Sequence, residues 1–138
     1  MKYSFIIPVY NRPDEVDELL DSLTRQTFRD FEVIVVEDGS SDPCKEVVEK
    51  FEKVLDVHYY NKANSGPGQT RNYGVEQAQG EYMLILDSDC ILPATYLEEV
   101  EKELEKLEKY LEVIDEEKEE KATNSNVDIK KQQRIMKR

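Results

Sequence analysis

The sequence predicts an α/β domain in which helices cover both faces of a mainly parallel sheet, giving a three-layer sandwich. Four short runs of apolar and β-branched residues recur along the chain, at Tyr3–Val9, Phe31–Val36, Val57–Tyr60 and Tyr82–Leu86. The first three runs are each followed by turn residues and then by a segment with helical spacing, and the fourth leads into a long helical segment. This alternation is typical of right-handed crossovers between parallel strands.

Three helices are predicted between the strands. The first begins at Pro13, because proline suits the first turn of a helix, and the second follows Pro43. The third starts around Gly68 and ends before Gly80, since glycine commonly follows a helix end. The apolar stripe of the first helix consists of Val16, Leu19, Leu20 and Leu23.

Composition narrows the classes of protein that fit. The chain has 138 residues and a formal charge of −12, which argues against generic binding to nucleic acid or an anionic membrane. Cys44 and Cys90 lack the spacing of a disulfide framework or a zinc site, and His58 lies in an apolar run that favours a structural role. No segment reaches the roughly 18 apolar residues of a membrane span, so a cytoplasmic location is expected.

A compositional break near residue 97 separates the α/β region from a charged segment. Thr95 to Glu98 fits a capping box, and apolar residues then recur at steps of three and four. We therefore expect an amphipathic helix over 98–121, which packs its stripe on the domain or, less favoured, forms a dimer seam through 97–114. Residues 122–138 lack a sustained period and are expected to be a basic, frayed or disordered tail. The stripe consists of Leu97, Val100, Leu104, Leu107, Leu111 and Ile114.

Two carboxylates follow the fourth apolar run, as Asp87-Ser88-Asp89. If that run is a parallel strand buried on both faces, its carboxyl end opens into the crevice where α/β sheets bind ligands. The spacing allows one carboxylate to face a ligand and the other a divalent cation, and oxygen ligands suit Mg²⁺ or Mn²⁺ on a diphosphate. Asp-x-Asp also occurs by chance in turns.

Three other clusters of polar residues follow predicted strands and belong at the same edge of the sheet. Tyr10 offers a ring on which a base can stack, Asp38 offers an acceptor for a ring N–H, and Arg71 offers a cation near a helix start. These side chains together suit a pyrimidine nucleotide. Each also has an ordinary structural explanation, as a packing ring, a turn residue or a surface ion pair.

The ordered motifs resemble the amino-terminal half of family 2 glycosyltransferases, which have the Rossmann-like GT-A fold. The resemblance covers residues 3 to about 100. It rests on Ile7 to Arg12, on Gln26 to Asp42, on Gly68 to Gly74, and on Asp87-Ser88-Asp89 at the place of the family's Asp-x-Asp motif. Glu37 stands where aspartate is more usual, and Gly68-Gln69-Thr70 replaces a run of small residues.

The resemblance implies a site and an activity. A nucleoside-diphosphate sugar, with a UDP-sugar favoured, would be the donor. Its sugar would be transferred with inversion to a sugar, lipid or protein acceptor, in the cytoplasm or at the inner face of the membrane. Asp89 and Asp87 would hold Mn²⁺ or Mg²⁺. The residues implied to bind the nucleotide sugar are Pro8, Val9, Tyr10, Arg12, Glu37, Asp38, Arg71, Asp87 and Ser88.

The chain resembles only a donor-binding half, because no further strands are predicted after residue 97. The general base of the family belongs to the second half, and Glu98 or Glu99 on a charged helix is a poor substitute. One alternative is a catalytically inert binding or assembly module that dimerises through 97–114. A nucleotidyltransferase is disfavoured, since Tyr10 to Pro13 is not a glycine-rich phosphate loop.

Overall fold

The computed structural model describes the backbone of residues 1–132 and the side chains of residues 1–121. The chain divides into two compact units, the first from Met1 to Leu97 and the second beginning at Glu98. The strands are β1 (Tyr3–Val9), β2 (Phe31–Asp38), β3 (Val57–Lys62) and β4 (Tyr82–Ile85); the helices are α1 (Pro13–Leu23), α2 (Lys45–Phe51), α3 (Pro67–Gln77) and α4 (Tyr96–Gln132).

The sheet is parallel throughout its four strands, in the order β3-β2-β1-β4. Tyr3 in β1 is aligned with Phe31 in β2 on one side and with Tyr82 in β4 on the other. The chain therefore moves outward from β1 to β3 and then returns to the opposite side of β1. This reversal creates a switch point between β1 and β4. In α/β sheets, ligands bind in the crevice at the carboxyl ends of the strands beside such a switch point.

The two faces of the sheet bury different helices. Ile6, Ile34 and Val36 form one core cluster, and α3 lies against them so closely that a Cβ on Gly74 would come within 2.5 Å of Ile6 Cγ2. Alternate residues of β1 and β2 face the other way and are also buried, as is the apolar stripe of α1. Because right-handed crossovers on opposite sides of β1 place helices on opposite faces, this arrangement gives the predicted three layers.

The prediction that the Tyr82–Leu86 run is buried on both faces is wrong. Within the described residues β4 pairs only with β1, and Met83 and Ile85 are 39% and 49% exposed. Leu86 is buried, and its N–H donates to the Ile6 carbonyl at 2.9 Å. An apolar run indicates that its residues can be buried, but it does not indicate how many other strands lie beside it in the sheet.

The start of α4 is held by a side chain distant in sequence. Gln26 Oε1 accepts from the Leu97 N–H at 3.1 Å, and Gln26 Nε2 donates to the Pro93 carbonyl at 2.7 Å. Gln26 thus satisfies one of the backbone N–H groups that the first turn of a helix leaves without an intrahelical partner. Leu97 is fully buried, whereas Leu107 and Leu111 are 52% and 50% exposed.

The helix α4 also extends further than predicted. It continues to Gln132, so the expectation of an unstructured tail from residue 122 is wrong as far as that residue. Residues 122–132 contain no proline or glycine, and nothing in them interrupts the backbone hydrogen bonds. The remaining residues of the predicted tail, 133–138, lie outside the described part. No described helix combines the length and apolar character needed to cross a bilayer.

Candidate functional site

A cavity of about 360 Å³ opens where the carboxyl ends of the strands meet the start of α3. It lies at the switch point of the sheet, between the segments that follow β1 and β4. Seven of the nine predicted nucleotide-sugar residues line it, and Arg12 and Glu37 do not. The full lining consists of Pro8, Val9, Tyr10, Asp38, Asn64, Gly66, Pro67, Thr70, Arg71, Asp87 and Ser88.

Asp38 is the most strongly held side chain of the cavity. Its Oδ1 accepts from the Ser65 N–H at 2.8 Å and from Lys62 Nζ at 3.3 Å, and its Oδ2 accepts from the Gly66 N–H at 3.1 Å. Burial raises the pKa of Asp38, but the hydrogen bonds from Ser65, Thr70, Lys62 and Gly66 outweigh that effect and leave its pKa below the ordinary value. The group is therefore a fixed acceptor of hydrogen bonds at neutral pH.

The turn after Asp38 depends on a glycine. Gly39 has a φ of +65°, and a Cβ at this position would meet the Asn64 backbone nitrogen at 2.7 Å. Asn64 in turn donates from Nδ2 to the Asp38 carbonyl at 3.0 Å. The absence of a side chain at residue 39 thus brings the segment after β3 against the end of β2 and places donors around Asp38.

Glu37 occupies the interior and does not line the cavity. Its Oε1 accepts from the Cys44 N–H at 2.7 Å and from the Tyr59 hydroxyl at 2.9 Å, and its Oε2 accepts from the Ser40 hydroxyl at 2.5 Å. The side chain is fully buried. The prediction that Glu37 contacts the nucleotide sugar is not supported, because its oxygens are committed to the loop between β2 and α2. Burial and this carboxylate raise the pKa values of Cys44 and Tyr59.

The loops after β1 and β2 are joined through Asn11 and Ser40. The Asn11 N–H donates to Ser40 Oγ at 2.8 Å, and Asn11 Oδ1 accepts from the Asp42 N–H at 2.9 Å. Asn11 has a φ of 52°, in the left-handed region that asparagine tolerates better than most residues. The connection from Glu37 through Ser40 to Asn11 thereby fixes the loop that carries Tyr10.

Tyr10 and Arg71 both line the cavity. Tyr10 is 52% exposed, so its ring is open to a ligand. Arg71 lies in the second turn of α3 and is exposed. No hydrogen bond or ion pair joins its guanidinium to another side chain in the part of the protein that the structure describes. An aromatic face and an uncommitted cation suit a flat base and an anionic group respectively.

The segment after β4 brings Asp87 and Ser88 into the cavity and leaves Asp89 just outside its lining. Ser88 Oγ donates to Glu15 Oε2 at 2.8 Å, which ties this segment to the first turn of α1. The Cys90 N–H donates to the Asp87 carbonyl at 3.1 Å and closes a turn. Both carboxylates are exposed.

The donor set at this segment fits a magnesium-type cation. Mg²⁺ retains several water ligands and is commonly held by one or two carboxylates together with substrate phosphates, so it does not need a complete protein cage. Asp87 lines the cavity, Asp89 follows it two residues later, and both carboxylates are exposed. The two carboxylates would hold the ion. Among the described residues, no cluster of histidine or cysteine side chains lies at the segment after β4.

Arg12 lies apart from the cavity lining. Its guanidinium donates to the Asn11 carbonyl at 2.9 Å and lies 3.7 Å from Glu15 Oε1. The residue precedes α1 and is exposed. It is paired with Glu15 and does not line the cavity, so its contact with the nucleotide sugar stays a prediction.

Several residues that shape the cavity are not among the nine predicted contact residues, although the segment 64–72 that contains most of them was expected at this edge of the sheet. Asn64, Gly66, Pro67 and Thr70 line the cavity, and Lys62 supports Asp38 from β3. Thr70 is buried and donates to the Gly66 carbonyl at 2.8 Å. The position of these residues just after a predicted strand was the available signal, but their side chains carry no distinctive chemistry.

The fold and the cavity define a parallel α/β domain with a ligand site at its switch point. A family model, glycosyl transferase family 2, matches residues 4–137. The chain belongs to this family, as the motifs in its sequence predicted. It is 43% identical over 93 residues to the poly(ribitol-phosphate) β-N-acetylglucosaminyltransferase TarS of Staphylococcus aureus, an alignment that covers 64% of this chain and 16% of that protein.

Solved structures agree with this assignment. The S. aureus TarS structure in complex with UDP-GlcNAc matches with a TM-score of 0.73 and 38% identity, over 77% of this chain and 32% of that one. A mannosyltransferase from Pyrobaculum calidifontis, in complex with GDP-Man and Mn²⁺, matches with a TM-score of 0.65 and 27% identity, over 70% of this chain and 30% of that one. The GT-A fold predicted from the sequence is therefore confirmed.

The chain is much shorter than these relatives. It spans between 13% and 17% of the length of the first curated relatives that it matches. Within the described residues no strand follows β4. The alignments therefore concern only a small part of each of these relatives.

Proposed function

We propose that the chain binds a nucleoside-diphosphate sugar, with a uridine nucleotide favoured, and forms the donor-binding part of an inverting glycosyltransferase. The observation that carries this proposal is the convergence of seven predicted contact residues on one cavity at the switch point of the sheet. Membership of the family supports it, as does the similarity to a structure that contains UDP-GlcNAc.

The base would lie between Tyr10 and Asp38. The ring of Tyr10 offers a stacking surface. The Asp38 carboxylate accepts four hydrogen bonds within the described part of the chain, the longest at 3.5 Å from Asn64, and a base N–H would take the place of that longest bond. The imide N–H of uracil can donate a hydrogen bond to a carboxylate, whereas the corresponding ring nitrogen of cytosine is itself an acceptor. A carboxylate with a lowered pKa therefore favours uracil over cytosine.

The diphosphate would lie between Arg71 and the segment after β4. Arg71 supplies a fixed positive charge, Asp87 faces the ribose side, and Asp89 with Asp87 holds Mn²⁺ or Mg²⁺. The divalent ion, when bound, offsets the negative charge that develops on the departing diphosphate. The protein's own task is to hold base, ribose and phosphates in one orientation, which lowers the entropic part of the barrier.

Transfer would proceed by attack of an acceptor hydroxyl on the anomeric carbon from the face opposite the diphosphate. A new carbon–oxygen bond forms, the bond to the phosphate oxygen breaks, and the hydroxyl proton passes to a general base. We assign no residue of this chain to that base. The function proposed for this chain is therefore binding of the donor, without catalysis by the chain alone.

A donor screen tests this function. Thermal unfolding of the protein is followed with UDP, GDP, CDP and TDP, each with and without Mn²⁺. A ligand present at about 100 times its Kd stabilises a folded protein by about 2.7 kcal/mol, which raises the Tm by several degrees. We expect UDP with Mn²⁺ to give the largest rise, and Arg71→Gln to reduce it while the exposed control Arg25→Gln does not. A Tm unaffected by every nucleotide would contradict the proposal.

A second candidate function is an assembly module that dimerises through 97–114. It is favoured by one observation, the exposure of Leu107 and Leu111, which are four residues apart on one helix face. Analytical ultracentrifugation would then show a dimer that Leu107→Lys converts to a monomer and that Glu108→Lys leaves intact. A monomer for both the wild type and Leu107→Lys would exclude this function.

A further inference from the structure

Three side chains with metal-ligating atoms converge near the start of β3, on strand positions far from the carboxyl ends that form the cavity. His58 Nε2 lies 2.9 Å from Asp56 Oδ1 and 3.6 Å from Glu32 Oε1. The three ligand atoms all lie within 4.8 Å of one another. Glu32 is the second residue of β2 and His58 the second residue of β3, whereas the cavity is lined from the last residues of the strands.

Glu32 is the unusual member of this cluster, because its side chain is only 2% exposed. Its Oε2 accepts from the Ser4 hydroxyl at 2.6 Å and from the Gln79 N–H at 2.6 Å. These two bonds fix the carboxylate and leave Oε1 directed at His58. The distance of 3.6 Å is too long for a hydrogen bond, and Oε1 accepts none within the described part of the chain.

A proton and a metal ion would satisfy this arrangement differently. A proton on His58 Nε2 would be donated to Asp56, at 2.9 Å, and would leave Glu32 Oε1 without a donor. A cation placed between the three atoms would contact all of them. The cation would therefore use all three ligand atoms, whereas the proton would be shared by only two of them.

The donor set and the spacing match a transition-metal site. One imidazole nitrogen and two carboxylate oxygens are common ligands of Zn²⁺ and similar ions. Bonds of about 2.1 Å at tetrahedral angles place neighbouring ligand atoms roughly 3.4 Å apart, and the two separations from His58 Nε2 lie on either side of that value. Ser4 and Gln79 hold Glu32 in the way that outer-shell partners hold metal ligands. His58 and Asp56 are 45% and 49% exposed, which leaves a path for the ion and for a water ligand.

We propose that Glu32, Asp56 and His58 form a binding site for a divalent transition-metal ion of the Zn²⁺ class, separate from the Asp87 and Asp89 carboxylates. The site does not depend on the proposed donor-binding function. It lies at the start of the edge strand β3 and on its neighbour β2, and it would join the two strands to the segment after α3 through Gln79.

His58 provides a direct probe of this site, because it is the only histidine of the chain. Its imidazole resonances are recorded by NMR while Zn²⁺ is added in the absence of nucleotide, and binding is measured in parallel by calorimetry. We expect stoichiometric Zn²⁺ to shift the His58 signals of the wild type and of Asp89→Asn. We expect Asp56→Asn to weaken the binding about tenfold or more, which is typical of a lost metal ligand or its support.

The possible results distinguish a metal site at Glu32, Asp56 and His58 from an ion pair and from metal binding elsewhere. Signals that respond to pH but not to Zn²⁺ would overturn the proposal and identify the cluster as an ion pair. Binding that is unchanged in Asp56→Asn, or that is lost in Asp89→Asn, would also overturn it, because the ion would then be held by His58 alone or by the other carboxylates. Failure of the donor screen with UDP would leave this result unaffected.

Discussion

Ser88 donates a hydrogen bond of 2.8 Å to Glu15, and this contact joins the middle residue of Asp87-Ser88-Asp89 to the first turn of α1. The two residues are 73 positions apart in sequence. Arg12 lies 3.7 Å from the other oxygen of Glu15. The acidic segment at the mouth of the cavity is thus oriented by a carboxylate that is not itself in the cavity lining.

Removal of this contact should weaken nucleotide binding without unfolding the protein. In Glu15→Ala, the segment after β4 loses a hydrogen bond to a charged acceptor, and we expect the affinity for UDP with Mn²⁺ to fall about three- to tenfold, a loss of about 1 kcal/mol. Calorimetry measures the change. Glu18→Ala, on an exposed position of the same helix, is the control and should bind as the wild type does. Equal affinities for both variants would show that Ser88 needs no such support.

Glu37 should prove to be a structural residue. Glu37→Gln keeps the shape of the side chain but replaces one accepting oxygen by an NH₂ group, which would face groups that themselves donate hydrogen bonds to Glu37. We therefore expect the free energy of unfolding to fall by about 1–3 kcal/mol. The affinity of the folded variant for UDP should change less than about twofold, since Glu37 does not line the cavity. Urea unfolding and calorimetry test the two parts. A large loss of affinity in a stable variant would restore the direct contact that the sequence predicted.

Asp38 should contribute to stability with a defined pH dependence. Its pKa is lower in the folded protein than in the unfolded chain. The stabilisation is therefore complete above the ordinary carboxyl pKa of about 3.9, and it is lost as the pH falls through the lower folded value. We expect Asp38→Asn to be less stable than the wild type by about 1–3 kcal/mol near neutral pH, and the difference to shrink below about pH 4.

Urea unfolding at a series of pH values measures this difference. Asp17→Asn is a suitable control, because Asp17 forms an exposed ion pair with Lys50, which is worth less than about 1 kcal/mol. A stability difference for Asp38→Asn that is constant down to about pH 3 would contradict the assigned pKa shift.

Two glycines of α3 should respond oppositely to alanine. A Cβ on Gly74 would come within 2.5 Å of Ile6 Cγ2 and 3.3 Å of Val36 Cγ2, so Gly74→Ala should destabilise the protein by about 1–3 kcal/mol through overpacking. No atom lies within 4 Å of the corresponding position on Gly68. Gly68→Ala should therefore be neutral or stabilise the helix by up to about 1 kcal/mol. Similar thermal unfolding of the two variants would show that α3 is not packed on the sheet as described.

The sequence was a good guide to the order of the elements and to the edge of the sheet that carries the site. Alternation of apolar runs with helical periods predicts the strands, and Pro13 marks a helix start that depends on local backbone chemistry. Gly80 lies three residues beyond the end of α3, and it is a close approach to Ser4 that leaves no room for a side chain there. Tyr10, Asp38, Arg71 and Asp87 were predicted to meet because the carboxyl ends of parallel strands share one edge. Their grouping around one cavity follows from topology alone.

Other features could not be predicted because they depend on contacts between distant parts of the chain. The apolar character of Met83 and Ile85 does not reveal that β4 is an edge strand. The burial of Glu37 depends on Tyr59 in a strand that is distant in sequence, and the start of α4 depends on Gln26. The helix also continues beyond its apolar stripe, since helical propensity can extend an exposed helix without a buried face.

The most direct test of the proposed donor site is calorimetry with UDP and Mn²⁺ on the wild type, on Asp89→Asn and on the exposed control Asp115→Asn. Mn²⁺ is needed for tight binding if Asp89 holds the ion on the diphosphate, and we expect about tenfold weaker binding or more in Asp89→Asn, with no change in Asp115→Asn. Binding of UDP that is equally strong without Mn²⁺ and in Asp89→Asn would contradict a metal-held diphosphate at the end of β4.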